Sequence, residues 1–172
     1  MRVWLAIAAA VIGMDQITKH LAVRLLQPHE PAQVLPFINF DLAYNPGAAF
    51  SFLADSDGWQ RWFFVVLALG VSAVIVGWLR RLGPAERWNG VALSLILGGA
   101  LGNAIDRIFF GHVIDFIDVY YMAESCMPLF SPLSFADRIQ CHWPSFNLAD
   151  SAISIGAAVM IVDAVFASKR AT

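Results

Sequence analysis

Apolar and polar positions alternate along this chain on two scales. Four long stretches, about 3–26, 59–79, 88–109 and 147–168, keep an apolar character over roughly the 20 residues a helix needs to cross a ~30 Å hydrocarbon core. The second is the plainest, with no charge between Trp62 and Leu79. The first and last are interrupted by ionisable residues. Between them, the connections about 27–58 and 110–146 follow a shorter period. Val34 to Phe52 is rich in Phe, Ile, Leu and Val and is broken by Pro36 and by Asn45-Pro46-Gly47, which predicts a small sheet with a turn in it. Gly111 and the alternation Val113, Asp115, Ile117 predict a turn into a short strand. The segment Asp118 to Pro144 is long for a connection, and a short helix is expected near Phe135–Ile139. The pattern predicts an all-α polytopic membrane protein. It has four transmembrane helices, a small extracytoplasmic β-cradle and an extended second outer loop, in a single membrane domain over residues 1–172.

Composition agrees: hydrophobic residues are 59% and charged ones 14%, against about 45–50% and about 25% in soluble domains. The 11 Lys and Arg are scattered and form no basic stripe, so nucleic acid is not an expected partner. Their placement does carry information. Arg2, Arg80, Arg81, Arg87, Lys169 and Arg170 fall on one side of a four-span chain, which puts both termini in the cytoplasm. The two long connections hold Glu30, Asp41, Asp55, Asp57, Asp115, Asp118, Glu124 and Asp137, and face outward. Phe37, Phe40, Phe50 and Phe52 would rest the first of them on lipid headgroups. The N-terminal stretch, which has signal-like features, is expected to be a retained span. Cys126 and Cys141 share the second outer loop, where an oxidising compartment permits a disulfide. Free thiols, or zinc with His112 and His142 as further ligands, are the alternatives; the spacing fits no finger pattern.

Ionisable residues inside spans are costly and usually functional. Asp15, Thr18, Lys19 and Ala22 make one face of the first helix. There Asp15 and Lys19 at i, i+4 either neutralise each other and fix packing or support a site above them. Gly99, Asn103 and Asp106 share a face of the third, and Gly98 and Gly102 are spaced as G-x-x-x-G. Gly98, Gly99, Gly102 and Ala157 are expected to leave room for a substrate helix to enter sideways. The fourth opens with Asn147, Asp150, Ser151 and Ser154 on one stripe. Helix capping by Asn147 and dipole complementation by Asp150 account for that stripe. They do not account for Asp115, a second buried-looking acid at the same expected depth. Two carboxylates sharing a proton are the arrangement of aspartic proteases. No G-x-S-x-G or H-E-x-x-H competes, and His112 is expected at the surface. Asp163, ~20 Å further along the last helix, is a poor partner for either acid.

These residues fall into five blocks that resemble the lipoprotein signal peptidases (signal peptidase II). Asp15-Gln-Ile-Thr-Lys19 resembles D-Q-x-T-K, and Asn45 through Phe50 resembles N-x-G-A-A-F. Gly98 through Arg107 resembles G-G-x-x-G-N-x-x-D-R, Val113 through Phe116 V-x-D-F, and Phe146 through Asp150 F-N-x-A-D. The resemblance implies an aspartyl endopeptidase of the bacterial inner membrane that cuts prolipoproteins before a diacylglyceryl-modified cysteine. It implies Asp115 and Asp150 as the catalytic pair, with Asn45, Gly47, Asn103 and Arg107 holding substrate. Asn147 orients the pair, and Asp15, Lys19 and Asp106 give support. No metal or other cofactor is implied. Expected partners are lipidated prolipoproteins and membrane lipids, and the expected state is a monomer with its site at the outer interface. The 34 residues between Asp115 and Asp150 exceed the family's usual spacing, so about 122–141 is expected to be an added lid or surface element. Other classes compatible with the residues are a small transporter using Asp15, Asp106 and Asp163 as a proton path, or an assembly factor whose polar faces only pack helices.

Overall fold

A computed structural model of the chain describes residues 1–28, 30–47, 58–84, 86–135 and 138–170. The expectations for Phe50, Phe52, Asp55, Asp57 and Asp137 lie outside the described residues. In chain order the elements are α1 (Arg2–Leu25), β1 (Ala32–Leu35), β2 (Ile38–Asn45), α2 (Trp59–Leu79), α3 (Arg87–Phe110), β3 (Val113–Ala123), β4 (Ser131–Phe135), β5 (Arg138–His142) and α4 (Leu148–Arg170).

The chain is therefore not all-α. The two long connections combine into one antiparallel five-stranded sheet of order β1-β2-β3-β5-β4. The segment expected to form a short helix near 135–139 instead supplies the end of β4 and the start of β5. The reason is tertiary: a short segment of mixed propensity goes where backbone partners await it, and β3 runs on to Ala123 to pair with β5. Among the described residues three helices, α2, α3 and α4, are long and apolar enough to cross a membrane. α1 falls short by composition, because Asp15, Gln16, Lys19 and His20 interrupt its apolar sequence.

Burial is inverted relative to a protein dissolved in water. Asp15, Lys19 and Asp106 are completely enclosed, whereas Val3, Leu5, Met14, Ile17, Leu21 and Leu25 of α1 stand on the outer surface. One apolar cluster, Ala8, Ile75, Leu79, Leu93 and Leu97, ties α1 and α2 to α3. A second, Ala22, Leu42, Ile114 and Phe116, seats the sheet on the end of α1.

α3 is the central helix, and its glycines set how closely its neighbours approach. A Cβ at Gly98 would stand 2.6 Å from Val11 Cβ and 2.8 Å from the Ala8 carbonyl oxygen; at Gly102 it would stand 2.6 Å from Asp15 Oδ2. At Gly99 it would run into the carbonyl oxygen of Ala149, on α4. These positions are thus occupied by α1 and α4 and leave no room for an incoming substrate helix, contrary to the expectation above. The close backbone approach is the small-residue packing that membrane helices use.

Gly99→Ala should therefore cost about 1–3 kcal/mol by overpacking, since a carbonyl cannot rotate away as a side-chain end can. Gly70, around which nothing lies within 4 Å of an added Cβ, is the control. Gly70→Ala should be neutral or stabilising by up to about 1 kcal/mol. Thermal unfolding of both variants in detergent checks this, and equal transitions would contradict it.

Candidate active site

The site is assembled where three chain segments end or begin. α3 closes on Gly111, whose φ of +86° is a left-handed conformation that costs glycine nothing. The turn delivers the chain into β3, and Asp115 sits on the third residue of that strand. β3 is buried on both faces at its start, so Asp115 is only 3% exposed.

Asp150 stands in the first turn of α4. Asn147 precedes the helix, accepts a hydrogen bond at Oδ1 from the Asp150 amide (3.0 Å), and donates its own amide back to Asp150 Oδ2 (3.3 Å). This is a reciprocal capping box with Asn and Asp in the two roles. The Ala149 amide, another first-turn donor, is taken by Asp15 Oδ1 of α1 at 3.0 Å. The start of α4 is thereby fixed in place by its own cap and by a neighbouring helix.

Asn147 is also the bridge between the two acids. While Oδ1 caps α4 at Asp150, Nδ2 donates to Asp115 Oδ1 at 2.7 Å. Two more amides complete the arrangement: Asn45 donates to Asp115 Oδ2 (3.1 Å) and Asn103 to Asp150 Oδ1 (2.7 Å). Asn45 reaches Asp115 because β2 and β3 pair in a register that sets Ala43 against Asp115 and Asn45 against Val113. Burial, and then the Asp150 charge, push the Asp115 carboxyl up to about 7. The amides of Asn45 and Asn147 and the Lys19 charge favour ionisation and do not win.

Beneath the acids lies a closed ionic knot. Lys19 Nζ sits 2.8 Å from Asp15 Oδ2, 2.8 Å from Asp106 Oδ2 and 2.8 Å from Asn103 Oδ1. Its three protons have three acceptors. Each acceptor leads to an acid above: Asp15 holds Ala149, the neighbour of Asp150; Asp106 Oδ2 accepts from the Ile114 amide (3.2 Å), the neighbour of Asp115; Asn103 holds Asp150 itself. Gln16, which the sequence reading did not single out, adds a 2.8 Å bond to Asp106 Oδ1.

A cavity of about 490 Å³ opens in front of Asp150. Asn45, Asn103 and Arg107 face it from one side, Trp143 to Phe146 and the Ser151–Ser154 stripe from the other. Asp115 lies behind this lining. Arg107 donates to the Gly47 carbonyl (2.6 Å), stacks over Phe64, and is within electrostatic reach of both acids. Segment 143–146 was not marked as a site in the sequence. It is pinned there by Trp143 N donating to Val119 O and by paired bonds between Phe146 and Ile117. Its adjacency to the F-N-x-A-D block was the available signal.

Other predicted residues lie elsewhere. His112 packs against Tyr44 and Phe110, away from the acids, and burial lowers its pKa. Cys126 and Cys141 are joined as a disulfide across the base of the β4–β5 extension, so neither thiol is a zinc ligand in this structure. His142 instead contacts both oxygens of buried Asp118, at 2.8 and 2.9 Å. Asp163 lies beyond the knot, on the lower half of α4, in a separate groove.

Comparison with known proteins adds the relatives. The family model described as "Signal peptidase (SPase) II" matches residues 7–166. A lipoprotein signal peptidase of Aeromonas hydrophila is 46% identical over 97% of this chain and 90% of its own length. One of Teredinibacter turnerae is 44% identical over 98% and 90%. Two solved structures described as bacterial membrane enzymes match in fold. One has a TM-score of 0.79 at 27% identity, covering 100% of this chain and 93% of its own. The other has a TM-score of 0.72 at 29% identity, covering 94% and 92%. With two acids joined by one capping asparagine, and relatives of this kind along nearly the whole length, the chain belongs to the signal peptidase II family.

Proposed function

We propose that this chain is an intramembrane aspartyl endopeptidase that removes the signal peptide of diacylglyceryl-modified prolipoproteins, cutting before the lipidated cysteine. The observation that carries the reading is the Asn147 bridge, which holds Asp115 and Asp150 as one unit beside an open cavity. In this reading Asp115, raised to about 7, is the acid that still carries a proton in much of the protein near neutral pH, and it donates that proton toward the scissile carbonyl. Asp150, which faces the cavity, takes a proton from water. The water oxygen bonds to the carbonyl carbon; as the C–N bond breaks, the proton on Asp150 passes to the leaving nitrogen, the C=O bond re-forms and its hydroxyl proton returns to Asp115.

The remaining residues take roles by what they touch. Asn103 has its carbonyl occupied by Lys19 and Asn147, and positions Asp150. Asn45 and Arg107, on the rim of the cavity, hold the substrate backbone together with the Gly47 turn. Asp15, Lys19 and Asp106 fix the platform. No cofactor enters this chemistry.

The same reading places all residues in one membrane domain with four spans, α1 being the fourth. Asp15 and Lys19 are neutralised inside the bundle, its outer face is apolar along its length, and Arg2 and Arg24 stand exposed at its two ends, so lipid tails meet no ionic group between them. Both termini and the basic α2–α3 turn are cytoplasmic, and the sheet rests on the outer leaflet. Phe37 supports that placement: it is an aromatic residue held at φ +72° at a turn tip and 58% exposed, an arrangement that suits a headgroup contact. The working unit is a monomer. The test is cleavage of a purified lipidated prolipoprotein by the purified protein in detergent. Release of the signal peptide supports the reading, and an intact substrate rejects it.

A further inference from the structure

The bonds and cavities described so far leave Asp163 unused. It lies 13 residues after Asp150 on α4, about 20 Å at 1.5 Å per residue. Among the residues whose side chains are described it has no ion-pair partner. It sits toward the C-terminal end of its helix, where the dipole gives a carboxylate no support. Its surroundings are an apolar groove of about 400 Å³ lined by Trp88, Ile155, Val159, Val162 and Phe166. A single acid at the end of an apolar trough carries a cost without a structural return.

The trough adjoins the active cavity. Ile155 lines both, and the path down α4 runs from Asp150 past Ser154 and Ile155 to Val159, Val162 and Asp163. Ile155 and Val162 are more than half exposed, so the path is open along its side. Its dimensions fit one class of ligand. A signal peptide has a cationic n-region, then 7–15 apolar residues, then the cleavage site. As a helix, that apolar stretch is about 10–22 Å long.

On the peptidase reading above, we infer that this trough seats the apolar helix of the substrate's signal peptide and that Asp163 pairs with the Lys or Arg of its n-region. The scissile bond then reaches Asp150 when the cation reaches Asp163, so the two acids measure the length and the charge of the segment. A long cationic side chain can lie along the apolar wall while its head meets the carboxylate.

The test uses full-length protein in lipid nanodiscs and one lipidated prolipoprotein in three forms, with Lys, Gln or Glu at its n-region positions. Wild type should favour the Lys form over the Gln form about fivefold in kcat/KM, through KM, as a modest ion pair gives. In Asp163→Asn that ratio should fall to about one, and in Asp163→Lys the preference should turn toward the Glu form. Unchanged ratios in both variants overturn the inference while leaving the peptidase reading intact. Equal slowing of all three forms would assign Asp163 a packing role, and a dependence on ethanolamine headgroups instead of n-region charge would make the trough a lipid site; either overturns it. Wild type that cleaves none of the forms sinks both readings.

Discussion

Asp115→Asn and Asp150→Asn should each lower cleavage of a lipidated prolipoprotein by about 10³-fold or more, within the range of one lost acid–base group. The substitution keeps the shape of the side chain and removes only its ability to carry the shared proton. Asp150 accepts from Asn103 and from the Asn147 amide, and an asparagine oxygen can keep one of those bonds. Asp115 accepts from Asn45 and Asn147 and loses one of them in the same way. Folding should survive, with both variants accumulating in the membrane and unfolding within a few degrees of wild type. Activity within tenfold of wild type in either variant would rule out a two-acid mechanism, and collapse of the protein would mean the acids serve packing.

Lys19→Met should have the largest effect on stability, about 3–5 kcal/mol, the usual cost of leaving buried charge without its partner. Asp15 and Asp106 are wholly enclosed, and Lys19 is the cation that contacts both. Deleting the ammonium also leaves the Asn103 carbonyl with the Asn147 amide as its remaining donor, so the donor to Asp150 is held less firmly. Thermal unfolding in detergent measures the loss. Adding Asp106→Asn to Lys19→Met should restore part of it, because the two changes act on one contact and cannot be additive. An unchanged transition in Lys19→Met would show that the knot contributes no stability.

Much of this was legible in the sequence, and the limits have physical causes. Charge-free Trp62–Leu79 reads as a helix from composition alone. Asp15 and Lys19 read as a pair because helical spacing puts them together, but Asp106 is 87 residues away and only the packing of α1 on α3 shows that Lys19 serves both acids. The capping box of Asn147 and Asp150 was readable at three-residue spacing. That the same asparagine reaches Asp115 depends on where β3 begins, which Gly111 decides.

The failures follow the same logic. Gly98, Gly99 and Gly102 signal close approach, but a sequence does not say by what; here it is α1 and α4. The β4–β5 hairpin was missed because a five-residue strand has little local signal. Its pairing with β3 and the Cys126–Cys141 crosslink are both non-local. α1 differs from these cases: it forms the expected helix, and its inward polar face takes it below the apolarity of the other three.

The central claim is that Asp115 and Asp150 share a proton at working pH, and Asp115 titrates high because it is buried beside a second acid. A raised carboxyl holds a proton in the folded protein that the unfolded chain has already released. Its contribution to stability is therefore present at low pH and is lost as pH rises from about 4 to about 7. Activity that needs the protonated form falls as pH rises through about 7. The direct measurement is a titration of ¹³C-labelled aspartate carboxyls, with Asp115 assigned by its absence in Asp115→Asn. The account predicts a midpoint near 7 in wild type and a lower one in Asp150→Asn, where the like charge is gone. An Asp115 midpoint at the ordinary value of about 4, unmoved by Asp150→Asn, would contradict it.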